Sequence, residues 1–151
     1  MIKTIFPNKD TTIYMISSSV NTGIDEILEL QKIVSGSGGP VDVSRILMHF
    51  DTSTVSSSLS ARSVHTASAQ GGLKYYLKMF IAEEKDVPKE FSIIVKNISQ
   101  DWDMGLGRKH NVPNTTEGAS WTYRDGKTAS TSWTTAGGTF YNPAETDDGK
   151  V

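Results

Sequence analysis

The sequence has no cysteine among its 151 residues, which excludes a disulfide framework, a thiolate nucleophile and a cysteine-ligated zinc. Apolar residues are scarce too, at 36% against roughly 45–50% (glycine included) in an average globular domain. No charge of one sign prevails: 15 Lys and Arg face 17 Asp and Glu, a net charge of −2. That balance excludes a nucleic-acid binder held by a basic surface. A charged share of only 21% also excludes the highly charged class of disordered chains. The densest apolar run, residues 73–82, is broken by Lys74 and Lys78 and falls well short of the ~20 residues of a membrane span. The opening Met1-Ile2-Lys3-Thr4-Ile5-Phe6-Pro7 has a lysine but no apolar core behind it, so no secretory signal is expected.

Hydroxyls fill the apolar deficit, with 18 Ser and 16 Thr. The length is that of one domain, enough to bury about 68–70% of the unfolded surface. Alternation with a period of two runs through the chain, the mark of strands with one better-buried face. Residues 11–16 form a β-branched and aromatic run. Ile46, Met48 and Phe50 alternate with Leu47 and His49. Leu73, Tyr75, Leu77, Met79 and Ile81 alternate with Lys74, Tyr76, Lys78, Phe80 and Ala82. Phe91, Ile93 and Val95 alternate with Ser92, Ile94 and Lys96. Ile46, Met48, Phe50, Leu77, Met79, Phe91, Ile93 and Val95 are therefore the expected core. Residues 24–34 fit an amphipathic helix or a strand, and the ending Lys32-Ile33-Val34 tips the reading to strand. Residues 35–40 read as a Gly/Ser loop. Residues 53–72, rich in Ser, Ala, Thr and Gly, are unusually long for a loop and suit a short helix at 56–63 with Leu59 inward. Short strands separated by turns point to an all-β fold, an antiparallel sandwich.

Few residues offer chemistry. Asp101 and Asp103 flank Trp102 where a Ca²⁺ ion could gather carboxylates and carbonyls; a turn with capped amides and a packed tryptophan is the preferred reading, since no EF-hand spacing accompanies them. No other cofactor is expected. Gly105-Leu106-Gly107-Arg108-Lys109-His110 lacks the ending of a phosphate loop and the third glycine of a dinucleotide fingerprint. His49, His65 and His110 lie in separate segments. No Gly-x-Ser-x-Gly elbow accompanies the serines, so no enzyme is expected. Trp121, Tyr123 and Trp133 are the candidate stacking surfaces if the chain is a carbohydrate-binding module. In a bland sandwich the same rings cover the end of the core beneath long loops.

Several stretches carry a resemblance in their order along the chain. They are Asn21-Thr22-Gly23-Ile24-Asp25-Glu26-Ile27-Leu28, Ser44-Arg45-Ile46-Leu47-Met48-His49-Phe50-Asp51, Asp101-Trp102-Asp103-Met104-Gly105-Leu106-Gly107-Arg108 and Gly118-Ala119-Ser120-Trp121-Thr122-Tyr123-Arg124-Asp125-Gly126. This order resembles virion structural proteins of tailed bacteriophages, whose sandwich is similar to the DNRLRE-type, carbohydrate-binding-module-like domains of extracellular proteins. The resemblance spans residues 1–142. It implies a jelly-roll sandwich and a structural role at the neck, tail or head of a virion assembled in the host cytoplasm. It also implies contacts to other virion proteins and to copies of the same chain, without nucleic acid or membrane. The alternative it leaves is a module that contacts a host surface glycan. Residues 143–151 read as a polar tail with no strand pattern. The sandwich is therefore expected to be incomplete at its C-terminal side, or completed by a partner strand.

Overall fold

The computed structural model describes residues 3–34, 41–53, 55, 57, 75–87, 89–127 and 131–141. They fall into two compact units, one comprising Met1–Phe6 and Phe50–Phe91, the other Pro7–His49 and Ser92–Val151.

The second unit is built on strands. β1 (Lys9–Tyr14), β2 (Lys32–Val34) and β3 (Val41–His49) form an antiparallel sheet in the order β1-β3-β2. Thr11 faces Leu47 and Ile13 faces Arg45 across the β1–β3 ladder, while Ile33 faces Asp42 across β2–β3. β4 (Tyr123–Asp125) and β5 (Thr131–Ser132) pair antiparallel with a register shift between Tyr123 and Asp125. Residues 97–99 and 139–141 run antiparallel beside each other: Ser99 donates to the Thr139 carbonyl, Tyr141 donates to the Asn97 carbonyl, and Ile98 bridges Phe140. The fold is thus β-rich, with two small sheets.

Partners in an antiparallel ladder share a face, so Ile13 and Leu47 lie on one side of the β1–β3 pair. They are buried there with Trp102, Ala119 and Trp133, and Ile98, Met104 and Trp121 pack around them. This reverses the expected face. Ile46, Met48 and Phe50 are only half-buried, and Leu47 is the β3 side chain that enters the core. Apolar residues stand on both faces of β3, so periodicity alone did not choose between them. Arg45 sits on the core side because its flat guanidinium lies 4.8 Å from the Trp121 ring centre and 5.7 Å from that of Phe140. Its Nη1 donates to the Gly137 carbonyl at 2.6 Å.

The opposite face of the sheet is covered by residues 22–31. Only Lys32–Val34 of the expected 24–34 strand is extended into a ladder. Upstream, Ser44 ties the chain to β3: its Oγ donates to the Glu29 carbonyl and accepts from the Gln31 amide. β1 is buried on both sides, which is why Thr11 and Thr12 are as inaccessible as Ile13 and Tyr14.

In the first unit, Asp51 accepts from the Ser53 amide two residues on, the geometry of an N-cap, and Ser53, Val55 and Ser57 are helical. Leu59 lies outside the described residues. Residues 75–82, expected to be a strand with a buried face, take no regular structure, and Leu77 and Met79 are exposed. In the second unit, residues 92–97 likewise form no strand, and Ile93 and Val95 are exposed; Phe91, at the end of the first unit, is exposed too. Alternation sets a side-chain pattern, but a strand exists only where a second strand accepts its hydrogen bonds. Among the described residues neither segment has such a ladder.

Candidate functional site

The most constrained point of the chain is Asn21, which is fully buried. Its Nδ2 donates to the Met104 and Ala119 carbonyls, both at 2.8 Å. Its Oδ1 accepts from the Gly107 amide at 2.8 Å and the Gly23 amide at 3.2 Å. Its own backbone amide donates to the Thr115 carbonyl. The carboxamide thus makes all four bonds its chemistry allows and joins three loops, 21–23, 104–107 and 115–119. Glycine is required where these loops cross. Gly118 has a φ of +90°, and a Cβ there would lie 2.5 Å from the Gly105 Cα. Gly105 has a φ of +75° and would drive a Cβ into the Glu117 carbonyl.

A second device closes the outer edge of β1. The Thr22 hydroxyl donates to the Thr12 carbonyl at 2.6 Å and accepts from the Thr12 amide at 3.2 Å. One side chain therefore answers both outward backbone groups of Thr12, in the middle of an edge strand.

A third cluster lies over the covered face of the sheet. The Tyr14 hydroxyl donates to Glu29 Oε2 at 2.9 Å. Lys109 Nζ pairs with the same oxygen and sits 4.3 Å from the Tyr14 ring centre. Burial, then the hydrogen bond to Glu29, pushes the Tyr14 hydroxyl well above its ordinary range. Burial also pushes the Glu29 carboxyl up, but the bonds from Lys109 and Tyr14 outweigh it and leave Glu29 below its ordinary range. The Lys109 amide donates to Asp25 Oδ2, so residues 25–29 and 109 are fastened twice.

The residues singled out in the sequence have mostly structural surroundings. Trp102 and Trp133 are 6% and 5% exposed, and Trp133 Nε1 donates to the Ser120 carbonyl at 2.8 Å. A ring so enclosed offers no face to a sugar, which removes Trp133 from the expected stacking surface. Trp121 and Tyr123 are half-buried, and Arg45 lies against the Trp121 ring. Asp101 Oδ1 accepts from the Trp102 amide at 2.9 Å and from Lys9 Nζ at 3.4 Å. The Trp102 amide first, and Lys9 behind it, hold the Asp101 carboxyl below the usual carboxylate range. Asp103 Oδ1 accepts from the Gly105 amide, the turn geometry that competes with a calcium site. Among the described residues no three His, Asp or Glu side chains are grouped to hold a metal. His49 is exposed and bonded to Asn8 Oδ1.

Two shallow clefts adjoin these aspartates. One of about 160 Å³ is lined by Asp103, Gly105, Glu117 and Lys127, below the roughly 300 Å³ of a small ligand site. The other, about 380 Å³, is lined by Lys9, Asp101, Asp103, Arg124 and Asp125. Its cations are already engaged, Lys9 with the Trp102 carbonyl and Arg124 with the Asp101 carbonyl.

Sequence reasoning missed Asn21 and Thr22 as organising residues. The available signal was an Asn-Thr-Gly triplet together with a distant Gly-x-Gly, two segments too far apart in the chain to suggest a shared site. No family model, curated protein or solved structure matches the chain.

Proposed function

We propose that the chain is a structural subunit of a tailed-bacteriophage virion, working through contacts with other virion proteins and with copies of itself rather than through catalysis. In this reading it belongs to the neck, tail or head surface and is assembled in the host cytoplasm. The observation that carries the proposal is the amount of apolar surface left open outside the sheets: Tyr76 is 83% exposed, Phe80 81% and Ile94 77%. Large apolar side chains left open in each unit suit a protein contact. The jelly-roll sandwich belongs to the same reading, with the two small sheets extended by strands that neighbouring subunits order. Among the described residues no helix is long and apolar enough to cross a membrane.

The glycan-binding alternative is the weaker one, because it needs a solvent-facing tryptophan in a groove, and Trp102 and Trp133 are enclosed. Mass spectrometry of gradient-purified particles of the phage that encodes the chain tests the proposal. The expected result is a fixed copy number per particle. Absence from particles that remain infectious and complete overturns it.

A further inference from the structure

The sheet of the second unit has two unlike edges. On the β1 side the Thr22 hydroxyl occupies the Thr12 amide and carbonyl. On the other side β2 is outermost among the described strands, and Lys32, Ile33 and Val34 are all exposed. A short edge strand with apolar side chains on both faces is an acceptor for another strand.

The same unit also contains a segment with the side chains of a strand but no sheet to join. Residues 92–95 are Ser-Ile-Ile-Val, with Ile93, Ile94 and Val95 exposed. They are β-branched and apolar on both faces, the pattern of a strand that ends up inside a sheet and covered on two sides. Their C-terminal end is fixed. Lys96 Nζ rests 4.2 Å from the Phe140 ring centre, and residues 97–99 are bonded to 139–141. Anchoring lowers the ordering cost of pairing, because only the four residues upstream remain to be fixed.

We propose that residues 92–95 of one copy add as a strand to the β2 edge of a second copy. An open edge and a spare strand in one chain are complementary halves of one contact. Two different surfaces are used, so the contact is reciprocal within a two-fold dimer or, where it is not reciprocated, repeats into a ring or a filament. The inference rests on the reading of the chain as a subunit that works through protein contacts, and it names the partner and the surface.

Because the native chain has no cysteine, disulfide trapping is clean. Single variants Ile93→Cys, Ile94→Cys and Val95→Cys are each mixed with Ile33→Cys and oxidised. The expected result is a band at twice the monomer mass in the mixture for at least one pair, and no such band from either partner alone. Failure of all three mixtures overturns the proposal, as does a dimer from Ile33→Cys alone, which would mean two-fold pairing of β2. A doubly substituted chain, Ile33→Cys with Ile94→Cys, that closes on itself at high dilution also overturns it, since the strand would then pair within one copy. As a check that does not depend on register, Ile33→Lys, on an exposed side chain, should keep the fold and lose concentration-dependent sedimentation. Trapped dimers from a chain absent from virions would support the strand exchange and defeat the virion reading. Untrapped chains that still enter virions would do the reverse.

Discussion

The loops around Asn21 and the stretches at 75–81 and 92–95 have opposite chemistry in opposite surroundings. Asn21, Thr22 and Ser120 are polar and sealed from water, whereas Tyr76, Phe80 and Ile94 are apolar and open to it. Composition alone would place them the other way round. The difference lies in backbone hydrogen bonding. Every polar atom of the Asn21 carboxamide has a partner, so its burial leaves no donor or acceptor orphaned. The apolar stretches have side chains suited to a core but no ladder among the described residues in which to set their backbones. In this chain, burial follows the availability of hydrogen-bond partners as closely as it follows hydropathy.

The strongest way to break the contrast is Asn21→Ala. It strands the Gly107 and Gly23 amides and the Met104 and Ala119 carbonyls at once. With about 1–3 kcal/mol for each buried group left unsatisfied, and some relief from entering water, a loss of about 4 kcal/mol is expected in urea unfolding. A loss under about 1 kcal/mol would show that the loops hold without their amide. Next comes Thr22→Val, which keeps the shape and removes the hydroxyl from the β1 edge. We expect about 2 kcal/mol, with Thr22→Ser recovering most of it; equal losses in the two variants would assign the effect to packing instead.

The Tyr14–Glu29–Lys109 cluster sharpens the comparison by pH. Glu29 titrates below its ordinary value of 4.5 when folded, so its contribution is complete above that pH and is lost as pH falls through the folded value. Tyr14 titrates above its ordinary 10.0, so its contribution is complete below pH 10.0 and is lost as pH rises through the folded value. Melting curves of Glu29→Gln should therefore lie below the native ones at neutral pH and converge with them in acid. Tyr14→Phe should flatten the alkaline decline. A constant gap at every pH would mean that neither group is coupled to folding. The smallest effect is expected in the exposed stretches. Phe80→Ser should change the stability of the isolated chain by less than about 0.5 kcal/mol. A larger loss would mean that Phe80 is covered in solution.

Much of the sheet was legible in the sequence. Residues 11–14 fall within β1, and residues 46–49 within β3, because β-branched and aromatic runs between turn residues report extended backbone. The face of β3 was not legible. Leu47 and Ile46 are both apolar, and Arg45, the charged residue that should have marked the solvent side, is spread between Trp121 and Phe140 instead. The strands expected at 73–82 and 91–96 show the limit of periodicity, since pairing depends on a second segment that local sequence does not specify. Of the candidate site, the rings stood between stacking surfaces and core cover in the sequence, and the structure buries Trp102 and Trp133 in the core with Trp121 packed beside them. Asn21 was hidden because each of its long-range partners is defined by backbone position rather than by residue type.

The Asn21 contacts also set an order of events during synthesis. β1 and β3 can pair once the first fifty residues are available, since Lys9 and His49 close that ladder. Asn21 is translated early, but Met104, Gly107 and Ala119 lie 83, 86 and 98 residues further on. Until the last of them leaves the ribosome, the carboxamide must stay hydrated and the three loops stay apart. Closing loops of that length is slow and entropically costly. The nascent chain therefore carries an unsealed loop cluster for most of its synthesis, and the core around Ile13 and Leu47 closes only when Trp133 follows Ala119.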